Sequence, residues 1–158
     1  MTSPTRYFSS RYDLCEGMTD RARCVLAAAH QVALEQRSAA IEPEHVLRAL
    51  ATGDRGVGRC ALEALGTDLP RLLPKIVELI PPHMQDPPAG PEFGPRGEAL
   101  LAAARSAAAE LNHLYLGTEH LVLALLREPS PIRDLLRQNG VTYESAFEGV
   151  KRLLGQDA

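Results

Sequence analysis

The chain contains a copy of itself. Ile41-Glu42-Pro43-Glu44-His45-Val46-Leu47-Arg48-Ala49-Leu50 returns as Leu116-Gly117-Thr118-Glu119-His120-Leu121-Val122-Leu123-Ala124-Leu125, an offset of 119 − 44 = 75 positions. The same offset pairs Arg21 with Arg96, Leu26 with Leu101, Ala28 with Ala103, Ala33 with Ala108 and Glu35 with Glu110. Self-similarity held in one register over this length marks a duplicated architecture. Each half should therefore fold alike, and any binding surface is expected in pairs.

The repeated unit is helical. Thr19 supplies an N-cap oxygen, and Ala22, Val25, Leu26, Ala29, Val32 and Ala33 follow at helical spacing as far as Gln36. Pro43 suits the first position of a second, short helix running to about Ala51, because its missing N–H is not needed there. After the turn Thr52-Gly53-Asp54-Arg55-Gly56, the stripe Val57, Cys60, Ala61, Leu62, Ala64 and Leu65 predicts a third helix that stops at Gly66. Leu69, Leu72, Leu73, Ile76, Val77 and Ile80 predict a fourth, with Pro70 and Pro74 restricting where its regular part begins. The second half repeats the plan in Pro95 to Leu111, Thr118 to Arg127, Ile132 to Gln138 and Tyr143 to Leu154, its third helix one residue shorter. No period-2 alternation with hairpin turns competes. The expected fold is all-α: two four-helix repeats forming one compact domain. An N-terminal arm is expected over residues 1–17, the first repeat over 18–80, a proline-rich extended connection over 81–92 and the second repeat over 93–158.

Composition narrows the function classes. The 158 residues are 45 % hydrophobic, enough for one core, and the formal charge is −3, with fifteen arginines scattered among twenty acids. No sustained positive field exists to collect a phosphate backbone, so nucleic acid is not an expected partner. No apolar run approaches the roughly 18 residues of a membrane span, and no secretory apolar stretch follows the start, so a soluble cytoplasmic protein is expected. Cys15, Cys24 and Cys60 form no C-x-x-C pair and read as reduced thiols, with Cys24 and Cys60 on apolar stripes.

Met18-Thr19-Asp20-Arg21-Ala22, the Glu-His-Val-Leu-Arg-Ala-Leu segment, Ala61-Leu62-Glu63-Ala64-Leu65-Gly66 and Leu116-Gly117-Thr118-Glu119-His120-Leu121 together resemble the double repeat of Clp ATPase N-terminal domains, most closely the ClpC branch. The resemblance covers about residues 18 to 155. It implies two four-helix repeats related by a pseudo-twofold axis, and a role in docking substrates and adaptor proteins for an ATPase ring. It also implies phosphoarginine binding at two pseudo-symmetric pockets, in which the glutamate of each Glu-His motif, here Glu44 and Glu119, holds the guanidinium. Two departures from the family pattern stand out: Gly94 occupies a usual threonine position in the second repeat, and Pro43 replaces in the first the threonine that Thr118 keeps.

The residues support part of this by themselves. Glu44 and Glu119 fall in first turns, where a carboxylate faces the positive end of the helix dipole, and a carboxylate matches the planar donor fork of a guanidinium. A neighbouring phosphate can be met by helix-start amides, which in the first repeat means Thr19 and the amides after it. The ligand-binding candidates are therefore Glu44, Glu119, Thr19 and Thr118, presented as matching acidic corners to a visiting chain. His45 and His120 lack H-E-x-x-H spacing or a third ligand, so they read as helix-start or packing residues rather than a metal site. No G-x-S-x-G and no Gly-Lys of a phosphate-cradling loop occurs, so no catalytic constellation, cofactor or ATP-driven activity is expected. Tyr7, Phe8 and Tyr12 of the arm are candidates for a partner groove.

The expected function is a non-catalytic recognition module of protein quality control that binds protein or peptide substrates, some arginine-phosphorylated, and Clp adaptors or an unfoldase. The alternatives are the N-terminal region of a full ClpC- or ClpA-type unfoldase, and a small metal-binding or hydrolytic protein built on the Glu-His pairs.

Overall fold

Helix starts follow their capping residues. In this computed structural model, which describes residues 17–53 and 55–156, Thr19 is extended and its Oγ1 accepts from the Ala22 amide at 3.1 Å, opening α1 (Asp20–Glu35). Pro43 is the first residue of α2 (Pro43–Thr52), and Pro95 that of α5 (Pro95–Glu110). α3 (Val57–Ala64) and α7 (Pro131–Gln138) both close at glycines in the left-handed region, Gly66 at φ +89° and Gly140 at φ +82°. The amide after each glycine reaches back to a helix carbonyl, Thr67 to Leu62 at 3.1 Å and Val141 to Leu136 at 3.0 Å, so the exposed carbonyls are satisfied. α4 (Leu69–Leu79) starts ahead of both prolines, because Asp68 caps the Arg71 amide and Pro70 stands where no intrahelical N–H is required; Pro74 lies inside the helix. α6 (Thr118–Arg127) and α8 (Tyr143–Leu153) complete the second set of four.

The two copied segments become the centre of the molecule. Every residue from Thr118 to Leu126 is buried; Leu121 to Leu126 is apolar on all sides and the polar first turn Thr118–His120 is buried with it, and α6 packs against α1, α2, α3, α5, α7 and α8. α2 is its counterpart, touching α1 and α3–α7. The alanine-rich face of α5, with Ala103, Ala104, Ala107 and Ala108 buried, lets α5 approach α6 closely. On α1 all six residues of the expected stripe are buried. Three residues leave their expected stripes: Cys24, Ala64 and Val77 are exposed, the last at 38 %. Ala64 and Val77 lie at the edges of their helices' buried faces, where the period alone leaves the assignment open, whereas Cys24 lies on the far side of α1 from its buried stripe.

The halves are interlocked by two short bridges. Ahead of α1, the Thr19 amide donates to the Leu116 carbonyl at 3.0 Å and the Leu116 amide to that of Gly17 at 2.8 Å. Ahead of α5, the Ile41 amide donates to Glu92 at 2.7 Å and the Gly94 amide to Ile41 at 3.1 Å. Met18 pairs with Leu116, and Ile41 with Phe93; 93 − 18 and 116 − 41 are both 75. The bridges are thus images of each other, and the fold is all-α with two pseudo-twofold-related four-helix repeats. Residues 81–92 run without helix, and Arg37 anchors them through Nε to Met84 O at 3.1 Å and Nη2 to Gln85 O at 2.7 Å. The arm residues Tyr7, Phe8 and Tyr12, together with Cys15, lie outside the described residues.

Candidate functional site

The bridges cross the sites over between repeats. Because Leu116 lies beside Met18 and Ile41 beside Phe93, the start of α6 faces the start of α1, and the start of α2 faces the start of α5. Thr19, expected near Glu44, instead lines a pocket of about 290 Å³ with Asp20, Arg21, Tyr115, Thr118 and Glu119. Gly94, expected near Glu119, instead lies at the Glu44 corner, where a Cβ would run into the Glu42 carboxylate.

The Glu44 corner is filled. Glu44 is 1 % exposed, and Arg96 grips it as a fork, with Nη1 to Oε1 at 2.7 Å and Nη2 to Oε2 at 3.3 Å. The third arm of the guanidinium, Nε, meets Glu42 Oε2 at 2.9 Å. Burial works against the Arg96 charge, but the hydrogen bonds and Coulomb attraction of Glu44 and Glu42 outweigh it and raise its pKa above the ordinary value. Burial also pushes the Glu42 carboxyl up, an effect Arg96 only partly offsets. The corner expected to face a visitor is sealed by the chain's own arginine.

The Glu119 corner is open. Glu119 is 3 % exposed, on the pocket floor, and its side-chain neighbours are the Tyr115 hydroxyl at 3.4 Å and His120 Nδ1 at 4.0 Å. No arginine or lysine among the described residues pairs with it. Burial pushes its carboxyl up, against smaller opposing effects from its own amide, His113 and Tyr115. Arg21, the counterpart of Arg96, is exposed on the pocket rim, its Cδ 3.2 Å from where a Cβ on Gly56 would be. Asp20 is engaged by Arg23 at 2.9 Å. Thr118 Oγ1 accepts the buried Gly58 amide at 2.9 Å, tying α3 to α6, and Thr19 Oγ1 is the cap of α1.

Both histidines hold helix starts. The Gly117 amide donates to His120 Nδ1 at 2.8 Å, which leaves the ring proton on Nε2, 2.8 Å from His113 Nδ1; His113 Nε2 then donates to Gln156 Oε1 at 2.7 Å. In the other repeat the Glu42 amide donates to His45 Nδ1 at 2.9 Å, and His45 Nε2 faces Ser38 Oγ at 3.0 Å. Burial lowers His120 to about 4, with His113 adding to the effect, and lowers His45 as well. Among the described residues no three His, Cys, Asp or Glu side chains converge to hold a metal ion. No helix among them is long and apolar enough to cross a membrane.

Sequence reasoning paired Arg21 with Arg96 but gave them no role, and it passed over Glu42 and Tyr115. The offset was the available signal: Glu42 and Gly117 differ at equivalent positions inside the most similar segment of the chain.

Comparison with known proteins agrees with this architecture. The family model of the Clp repeat N-terminal domain matches residues 17–139 and again 92–157. The chaperone protein ClpB of Oceanobacillus iheyensis is 31 % identical and the negative regulator of genetic competence ClpC/MecB of Bacillus subtilis 32 % identical, each over 140 residues. Those matches cover 88 % of this chain but 17 % of either relative's length. Among solved structures, a ClpV N-domain in complex with a VipB peptide superposes with a TM-score of 0.73 at 21 % identity, over 92 % of both chains. With eight helices among the described residues, crossed bridges and paired Glu-His starts, the chain belongs to the Clp repeat N-terminal domain family.

Proposed function

We propose that the chain is a non-catalytic recognition module of protein quality control, which holds an arginine side chain of a protein or peptide client, above all a phosphorylated one, at the Glu119 corner on behalf of a Clp-type ATPase ring. The observation that supports this is a buried carboxylate on the floor of a pocket, with no cation on it among the described residues, whose counterpart is gripped by a guanidinium. A buried charge without a partner is costly, so a cationic visitor relieves it. A planar fork of donors is the matching group, and Arg96 on Glu44 supplies the pattern within the same molecule.

A phosphoryl group on the visiting guanidinium finds suitable neighbours. The first turn of α1 has amides without intrahelical partners, and Arg21 stands on the rim with no ion pair among the described residues. Asp20, the exposed acidic group on the same pocket, is ion-paired with Arg23 at 2.9 Å. Peptide clients are supported by the ClpV relative, which is described with a peptide. A ring partner, carried on the same chain or met as a separate protein, and adaptor proteins alongside it, are supported by the ClpB and ClpC relatives, of whose length this chain spans 17 %.

Calorimetric titration of phosphoarginine and of N-acetylarginine amide into the wild type and Glu119→Gln tests the assignment. Binding to the wild type with at least a tenfold loss in the variant is expected. Equal affinity in both proteins, or no binding to the wild type, contradicts it.

A further inference from the structure

Three positions make the two corners unlike. The Glu44 corner holds Glu42, Glu44 and Arg96; the Glu119 corner has Gly117, Glu119 and Arg21 at the same offset. Where Glu42 adds a second carboxylate, Gly117 offers no side chain, and a Cβ there would run into the Glu119 carboxylate. The consequence is visible in the two arginines. Arg96 is held by three N–H donors, on the half-buried Glu42 carboxylate at 2.9 Å and the buried Glu44 carboxylate at 2.7 and 3.3 Å, whereas Arg21, whose corner has one buried carboxylate, is exposed on the rim.

We infer that Arg96 is an internal ligand, latched by Glu42 into the Glu44 corner, so that the chain offers one open guanidinium site and keeps a second one closed. The inference deepens the reading of the Glu119 corner and rests on it for the open site. It also sets a chemical difference between the two. Once vacated, the Glu44 corner is lined by two carboxylates, and Glu42 Oε1 is already buried with no hydrogen-bond partner. Such a site takes a plain alkylguanidinium, with one positive charge and five donors, and rejects a phosphorylated one by like-charge repulsion. The Glu119 corner has one buried carboxylate, its other acid, Asp20, is exposed and ion-paired with Arg23, and Arg21 stands beside it, so it accepts both forms.

The residue that decides the number of sites is therefore Arg96, and Glu42 positions it. Calorimetric titration of the intact chain with two probes, phosphoarginine and N-acetylarginine amide, reads this directly. The wild type should bind one equivalent of either probe. Arg96→Ala should gain a second equivalent of N-acetylarginine amide but not of phosphoarginine, and Arg96→Ala combined with Glu44→Gln should lose that gain. Two equivalents on the wild type, or a folded Arg96→Ala without the extra site, overturn the inference. If the wild type binds neither probe and Arg96→Ala binds N-acetylarginine amide, the latch stands and the reading of Glu119 falls.

Because Arg96→Ala leaves two carboxylates uncompensated, a second measurement guards against simple unfolding. Millimolar guanidinium chloride should raise the melting temperature of Arg96→Ala towards that of the wild type, with equal ammonium chloride having no such effect. Equal responses to both salts count against a shaped guanidinium site. In the wild type, the Arg96 Nε–H should give a slowly exchanging NMR signal that saturating phosphoarginine leaves in place; its displacement by the probe overturns the latch.

Discussion

At the scale of single residues, Glu119 and His120 are neighbours with opposite dependence on pH. His120 is wholly buried and stays neutral in the fold, its pKa lowered to about 4 from 6.5 chiefly by burial. Its stabilising contribution is complete above pH 6.5, where the unfolded ring is also neutral, and is lost as pH falls towards 4, by an amount on the order of 3 kcal/mol. Glu119 is raised by burial, so its contribution is complete in acid and is lost as pH rises through the folded value. Thermal unfolding should show both. Glu119→Gln is expected to be about 1 kcal/mol more stable than the wild type at pH 7, with the advantage shrinking in mild acid. His120→Gln, whose amide still accepts from Gly117, should flatten the loss of stability between pH 6.5 and 4. A Glu119→Gln protein less stable than the wild type at pH 7 contradicts the view of Glu119 as an uncompensated binding carboxylate.

At the scale of helices, the close approach of α3 to α6 governs the open pocket's wall. Gly58 lies against the Thr118 backbone so tightly that a Cβ would run into the Thr118 carbonyl, while its amide is bound by the Thr118 hydroxyl. Gly58→Ala should destabilise the fold by about 1–3 kcal/mol through overpacking against backbone and should also weaken binding at Glu119, measurable by chemical denaturation and titration together. Helix positions were largely legible in the sequence, because Thr19, Pro43, Pro95, Gly66 and Gly140 act locally, through caps and φ angles that each residue determines by itself. Pro70 shows the limit of that reading. A proline is permitted in a first turn, and whether α4 starts before or after it depends on the Asp68 cap. The exposure of Val77 and Ala64 was not legible for a different reason: period identifies a face, while its width is set by neighbours that the chain's own spacing does not name.

At the scale of the whole molecule, the duplication gave equivalence without adjacency. The 75-residue offset correctly matched Glu44 with Glu119 and Arg21 with Arg96, yet it is silent on which start meets which. The bridges from Met18 to Leu116 and from Ile41 to Phe93 decide that, and they build each corner from both repeats. The burial of Glu44 and Glu119 follows from the same topology, since α2 and α6 are the central helices and their first turns lie beneath the starts of α5 and α1. Thus an acidic first turn that reads as a surface feature becomes a corner closed by Arg96 in one repeat and a pocket-lining carboxylate in the other. The most direct measurement of this account is a titration of phosphoarginine into isotopically labelled protein, followed by amide NMR. Shifts concentrated at Thr19–Arg21 and Tyr115–Glu119, absent in Glu119→Gln, are predicted; equal shifts around Gly94–Gly97 and Glu42–Glu44, or none at either corner, would contradict it.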